Sequence, residues 1–218
     1  MKNINTFINR IIWGDCIQVM EQMPEESVDL VITDPPYLVS YRDRSGRRVA
    51  GDDNGHWVEP AFKQVFRVLK PDSFCISFYG WNHAEKFLDA WKSVGFTPVG
   101  HFVWVKSYPS KVGFAQAFHE QAYLLVKGRP EKPADPPADV FHNWKYTGNR
   151  LHPTQKPVEA LLPLIEAYSK PGDIVLDPFA GSGTTLVAAK RLNRKAIGVE
   201  LDWRHCRVAN ERLSEIKE

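Results

Sequence analysis

The stretch that decides the fold runs Asp173-Ile174-Val175-Leu176-Asp177-Pro178-Phe179-Ala180-Gly181-Ser182-Gly183-Thr184-Thr185. An apolar, β-branched run halts at a proline, passes two glycines and enters a segment, 182–192, with helical periodicity. Lys195-Ala196-Ile197-Gly198-Val199 follows as a second strand. Strand, turn, helix and strand make a βαβ unit, with its glycine turn at the carboxyl edge of a parallel sheet. Glycines there let the backbone approach a ligand and free the amides of a helix N-terminus. Glu200, at the end of the second strand, is placed to accept hydrogen bonds from both hydroxyls of a ribose. The turn is not a Walker A loop, since no Lys-Ser/Thr follows the glycines. It is not a full GxGxxG either, since Leu186 holds the third glycine position. Taken alone, it is equally readable as a tight strand–helix connection that binds nothing.

Working outward, the same alternation covers the chain. Val28-Asp29-Leu30-Val31-Ile32-Thr33 reads as a strand, and Asp34-Pro35-Pro36-Tyr37 stops it, because proline cannot continue a ladder. Residues 61–69 space Phe62, Val65, Phe66 and Leu69 as a helix that Pro71 ends. Residues 74–79 form a buried strand, 83–91 a helix, and 102–105 and 122–126 two more strands. A last helix runs from about Trp203 to Ile216. Four prolines between Gly128 and Asp139 mark a surface connection. The expected architecture is α/β: one domain over 1–218, a mostly parallel sheet with helices on both faces.

Composition narrows the class. The 218 residues are 43% hydrophobic and 25% charged, an ordinary globular balance. No apolar run is long enough to span a membrane, and the N-terminus lacks the apolar core of a signal peptide. Three scattered cysteines (Cys16, Cys75, Cys206) exclude a disulfide framework and suit a reducing cytoplasm. No histidine pairs with cysteine or acid at a metal spacing, so no metal is expected. The net charge is only +2, but Leu38–Ala50 carries Arg42, Arg44, Arg47 and Arg48 against a single acid, and Phe141–Lys156 is basic without any acid. Basic patches on a neutral body suit a protein that grips phosphate along one face, or are simply solvated loops.

The Asp34–Tyr37 turn closes a strand, as the glycine turn does, so both should face one crevice. An exocyclic amine on a nucleobase is a poor nucleophile, because its lone pair is delocalised into the ring. A carboxylate and a backbone carbonyl accepting from its two N–H bonds would favour a pyramidal nitrogen. Tyr37 could stack on a base taken out of the duplex.

These blocks, with His152-Pro153-Thr154-Gln155-Lys156-Pro157, Gly14-Asp15-Cys16 and Arg67-Val68-Leu69-Lys70-Pro71, resemble the S-adenosylmethionine-dependent amino-group DNA methyltransferases (N6-adenine/N4-cytosine) whose catalytic motif precedes the cofactor motif. The resemblance implies a Rossmann-like class I methyltransferase fold, seven-stranded and circularly permuted. It implies a catalytic turn Asp34, Pro35, Pro36 and Tyr37. It implies S-adenosyl-L-methionine as cofactor, held by Asp15, Cys16, Asp34, Lys156, Asp177, Phe179, Ala180, Gly181, Ser182, Gly183, Thr184, Thr185, Glu200 and Leu201. Within these, Asp15 and Cys16 would meet the adenine and Glu200 the ribose, with Lys156 and Pro157 closing the methionine end. An aspartate at the first catalytic position leans towards adenine N6. Cytosine N4, RNA as substrate and a non-catalytic DNA-binding regulator are the alternatives. No Pro-Cys dipeptide marks a ring-carbon enzyme.

Double-stranded DNA is the expected partner. Arg42, Arg44, Arg47, Arg48, Lys111, Lys145 and Arg150 are its candidate contacts. A short target-recognition insert is expected at about 107–151, where Lys106, Gln116, His119, Tyr146 and Asn149 also suit base edges or phosphates. A homodimer and a cognate restriction endonuclease are compatible with the resemblance, and no membrane partner is expected.

Overall fold

The computed structural model describes residues 2–40, 46, 51–109, 113–148, 151 and 155–216. In chain order the elements are β1 (Arg10–Trp13), α1 (Cys16–Glu21), β2 (Val28–Thr33), α2 (Val58–Val68), β3 (Leu69–Phe78), α3 (Ala84–Ser93), β4 (Thr97–Val105), β5 (His119–Lys127), β6 (Val140–Phe141), α4 (Leu162–Tyr168), β7 (Ile174–Asp177), α5 (Thr184–Arg191), β8 (Lys195–Glu200) and α6 (Trp203–Ser214).

All strands join one sheet in the order β1-β8-β7-β2-β3-β5-β4-β6. The pairs from β1 to β3 are parallel, β5 runs antiparallel to both β3 and β4, and β6 is parallel to β4. The expectation of a mostly parallel sheet holds. The strand count does not: an eighth, two-residue strand, β6, pairs with the edge of β4. It is too short to leave a periodic trace in the sequence.

Helices cover both faces. On one side α1, α2 and α3 press Val19, Met20, Phe62, Val65, Phe87 and Trp91 onto Val31, Leu69 and Cys75 of the sheet. On the other, α4, α5 and α6 press Leu164, Ile165, Leu186, Ala189 and Ala209 onto Leu30, Ile32 and Ile76. The alternation Leu30, Val31, Ile32 thus feeds two cores from one strand, as expected where both faces are covered. Fully burying each such aliphatic side chain contributes about 1.5–3 kcal/mol.

The central fact for function is that β2 and β7 are neighbours, with Leu30 opposite Val175 and Val31 opposite Leu176. After β7 the chain moves outward to β8, and after β2 it moves the other way to β3. Chain direction therefore diverges between them, and a crevice opens beyond their carboxyl ends. Asp29 fixes this register. Its Oδ2 accepts from the Ile174 amide at 2.8 Å and its Oδ1 from Lys70 Nζ at 2.5 Å.

β5 lies inside the stretch 107–151. What stands free of the sheet there is two segments, 106–118 and 128–139. The first joins β4 to β5. Val105 pairs with His119, and Ala122 pairs with Phe78 at the end of β3. Residues 106–118 therefore leave the sheet on the same rim as Asp34. Among the described residues no helix is long and apolar enough to cross a membrane.

Candidate active site

A cavity of about 300 Å³ opens on the carboxyl rim between β2 and β7, the size of a small-molecule site. Asp34, Pro35, Pro36 and Tyr37 line one side. Asp177 and the turn to Thr185 line the other, and Asp15, Cys16, Glu200 and Leu201 close the end under β1 and β8.

The glycine turn is held almost wholly by its own backbone. Ala180 N–H donates to the Val199 carbonyl at 2.9 Å, and Gly183 N–H to the Ala180 carbonyl at 2.7 Å. Asp177 is buried. Its Oδ1 accepts from the Phe179 amide at 3.0 Å and its Oδ2 from Thr185 Oγ1 at 2.6 Å. Burial pushes its pKa up to about 7 although both hydrogen bonds oppose the rise. Glu200 accepts from the amides of Gly181 at 2.9 Å and Asp202 at 2.7 Å, one on each oxygen. Each oxygen keeps a second lone pair for a ligand hydroxyl. Gly183 is the one expected cofactor contact from this turn that does not line the cavity. It sits at φ +80° facing away, where a Cβ would lie 2.9 Å from Ala209 Cβ, so its role is to let α6 pack close.

On the other side, Tyr37 hydroxyl donates to Asp34 Oδ1 at 2.8 Å, and Lys156 Nζ donates to Asp34 Oδ2 at 2.5 Å. Burial raises the pKa of Asp34, against the pull of Lys156 and the two hydrogen bonds. Burial alone would lower Lys156, but the carboxylates of Asp34 and Glu120 reverse that and hold it protonated. Lys156 is also tied to the glycine turn, since Thr184 Oγ1 donates to its carbonyl at 3.2 Å. This contact joins the Gln155-Lys156-Pro157 block to both halves of the cavity.

Asp15 faces the cavity while capping α1, accepting from the amides of Ile17 at 2.9 Å and Gln18 at 3.2 Å. Burial pushes the Cys16 thiol up to about 12, so it is no nucleophile at neutral pH.

The comparisons with known proteins agree with this geometry. A family model described as DNA methylase, of the N6/N4 type, matches residues 28–211. The chain belongs to this DNA methylase family. It is 50% identical over 210 residues to "Putative methylase YubD" of Escherichia coli K12, covering 96% of this chain and 92% of that protein. It is 29% identical over 256 residues to the type II methyltransferase M.HinfI of Haemophilus influenzae, covering 99% of this chain and 71% of that one. Its fold matches the DNA modification methylase TTHA0409 of Thermus thermophilus, solved in complex with S-adenosyl-L-methionine. The TM-score is 0.74 at 27% identity, over 94% of this chain and 93% of that one.

Within this methyltransferase framework some sequence expectations change. Lys106, expected among the groups facing DNA, has a side chain only 1% exposed, and its Nζ donates to Glu120 Oε1 at 2.6 Å. It belongs to the interior, where Glu120 compensates its charge. Lys145 is exposed. Arg42, Arg44, Arg47, Arg48, Lys111, Arg150 and the block 152–154 lie outside the described residues.

Two contributors have no signal in the sequence. Trp57 lines the cavity with its ring 5.0 Å from that of Phe179, and its Nε1–H donates to the Gly51 carbonyl at 2.8 Å. Asp52 is buried at the cavity wall, its Oδ1 accepting from the Val39 amide at 3.2 Å and its carbonyl from the Ser40 amide at 2.9 Å. These bonds close the base of the loop that carries the arginines. A lone Trp and an Asp among several carry no local motif, and a buried Asp-to-amide bond across the loop is a tertiary fact.

Proposed function

We propose that the protein methylates the exocyclic N6 amine of adenine in double-stranded DNA at specific sites, using S-adenosyl-L-methionine and acting on a base rotated out of the duplex. The observation that carries this reading is a single cavity. In it a buried carboxylate, Asp34, and an aromatic ring, Tyr37, stand opposite a backbone cradle that ends on Glu200.

The residues present fit the cofactor. Glu200 keeps acceptor capacity for ribose hydroxyls, Phe179 and Trp57 offer aromatic walls, and Asp15 and the Cys16 backbone lie where an adenine edge would be read. Bound there, S-adenosylmethionine would supply an electrophilic methyl group that needs no covalent enzyme intermediate, in keeping with the unreactive Cys16. The protein's task is then alignment and charge. Asp34, with the carbonyl of Pro35, would accept from the two N–H bonds of the amine and stabilise the positive charge that grows on nitrogen. Tyr37 and Phe78 would hold the base in plane, and the enclosed cavity would exclude water. The choice of adenine over cytosine rests on the aspartate at the first position of the Asp34–Tyr37 turn.

Incubation with plasmid DNA and cofactor, followed by mass analysis of nucleosides, tests the reading. N6-methyladenine supports it. N4-methylcytosine would transfer the same mechanism to the other base, and modification of RNA alone would overturn the DNA assignment.

A further inference from the structure

The Asp34–Lys156 pair bridges 122 residues of sequence and sits where the reaction would occur. Lys156 Nζ is 2.5 Å from Asp34 Oδ2 and 3.3 Å from the Tyr37 hydroxyl. It lies 5.3 Å from the centre of the Tyr37 ring and 5.1 Å from that of Phe78. A nitrogen bearing N–H bonds, donating to Asp34 and set between two aromatic rings, is the description of the target amine itself.

Resting on the methyltransferase reading, we propose that Lys156 is a positioning residue that holds the acceptor site. Its ammonium keeps Asp34 ionised in a dry pocket and occupies the carboxylate oxygen that the base amine takes. It must leave that oxygen when a base enters. This differs from the resemblance, which gives Lys156 to the methionine end of the cofactor.

Electrostatics makes such a residue necessary. A carboxylate removed from water favours its protonated form unless a cation stays close. A protonated Asp34 would present an O–H to the amine on that oxygen and lose half of its accepting capacity. The charged and titratable groups facing the pair are Tyr37 beside Asp34, Glu120 on β5, Asp177 on β7 and Tyr108 beyond β4. None of these carries positive charge. Lys106, the other ammonium nearby, is committed to Glu120. Lys156 is held by its backbone to Thr184 rather than by its side chain, so the ammonium can swing while the segment stays in place. A carboxylate next to a cation typically titrates about 1–3 units lower than without it.

The test compares wild type, Lys156→Met and Lys156→Arg by ¹³C NMR titration of the Asp34 carboxyl, assigned with Asp34→Asn. It also measures kcat/KM for plasmid DNA against pH, which reports ionisations of the free protein, and cofactor affinity. In Lys156→Met the Asp34 titration and the acid limb of kcat/KM should both move up by at least about one pH unit, and Lys156→Arg should restore both. Cofactor Kd should stay within about threefold. An unmoved Asp34 titration, an unmoved acid limb, or a tenfold loss of cofactor affinity in both variants would overturn the proposal. If Lys156→Met does not fold, Lys156→Gln carries the same comparison. A wild type that transfers no methyl group would overturn the function reading instead, while the carboxyl titration would still report on the pair.

Discussion

The two sides of the cavity are built on different principles. The glycine side, 177–185, is tied by amide–carbonyl and amide–carboxylate bonds within one βαβ unit, with most of its residues buried. The acceptor side is assembled from distant pieces: Asp34 after β2, Lys156 before α4, and the Gly51–Trp57 segment whose Asp52 closes on Val39. Local backbone bonding yields a cradle that needs no partner to take shape. Assembly through side chains yields a pocket that can rearrange when a bulky base replaces an internal contact. A methyltransferase gains from that division, because the cofactor is always the same molecule and the base must arrive from a polymer.

The largest contrast should come from Asp34→Ala. Transfer to DNA should fall by at least about 100-fold, the loss typical of removing one preorganised electrostatic group, while cofactor affinity changes little. Labelled methyl transfer and calorimetry together would show it, and equal losses in both would erase the distinction between the two sides.

Gly183→Ala attacks the cradle instead. The new Cβ would meet Ala209 at 2.9 Å in a left-handed backbone. The fold should lose about 1–3 kcal/mol, visible as a lowered Tm.

Asp177 gives a pH signature to the same side. Its native pKa is about 7 against an ordinary 3.8, so between those values the folded chain holds a proton that the unfolded chain has released. Stability from this group is therefore full below about pH 4 and is lost as pH rises to about 7. Asp177→Asn should flatten chemical denaturation midpoints across that window.

Much of this is legible in the sequence, for identifiable reasons. β2 and β7 announce themselves because apolar β-branched runs end at proline, and the βαβ unit from Ile174 to Glu200 because its helix and strand periods are clean. The helix expected at 61–69 begins three residues earlier and gives way directly to β3 at Leu69, ahead of Pro71. β1, α1 and α4 escape a sequence reading, since four to seven residues are too few to establish a period. For the site, both turns could be placed on one rim from topology alone. The pairing of Lys156 with Asp34, the burial of Lys106 against Glu120 and the Trp57–Phe179 contact depend on packing across the whole sheet, and no local spacing encodes them.

Two smaller effects sharpen the comparison. Trp57→Ala should weaken cofactor binding by about tenfold through loss of one aromatic wall, of order 1.4 kcal/mol, read by calorimetry. Replacing Arg42, Arg44, Arg47 and Arg48 together should leave cofactor binding intact and reduce the salt dependence of DNA affinity by about one slope unit for each phosphate no longer neutralised. An unchanged slope would remove the loop from the DNA surface.

The most direct measurement is a crystal structure with S-adenosylmethionine bound. The account predicts the ribose hydroxyls on Glu200 and the methyl-bearing sulfur in the cavity between Asp34 and Thr184. A cofactor bound elsewhere on the molecule, or one whose methyl group faces away from Asp34, would contradict it.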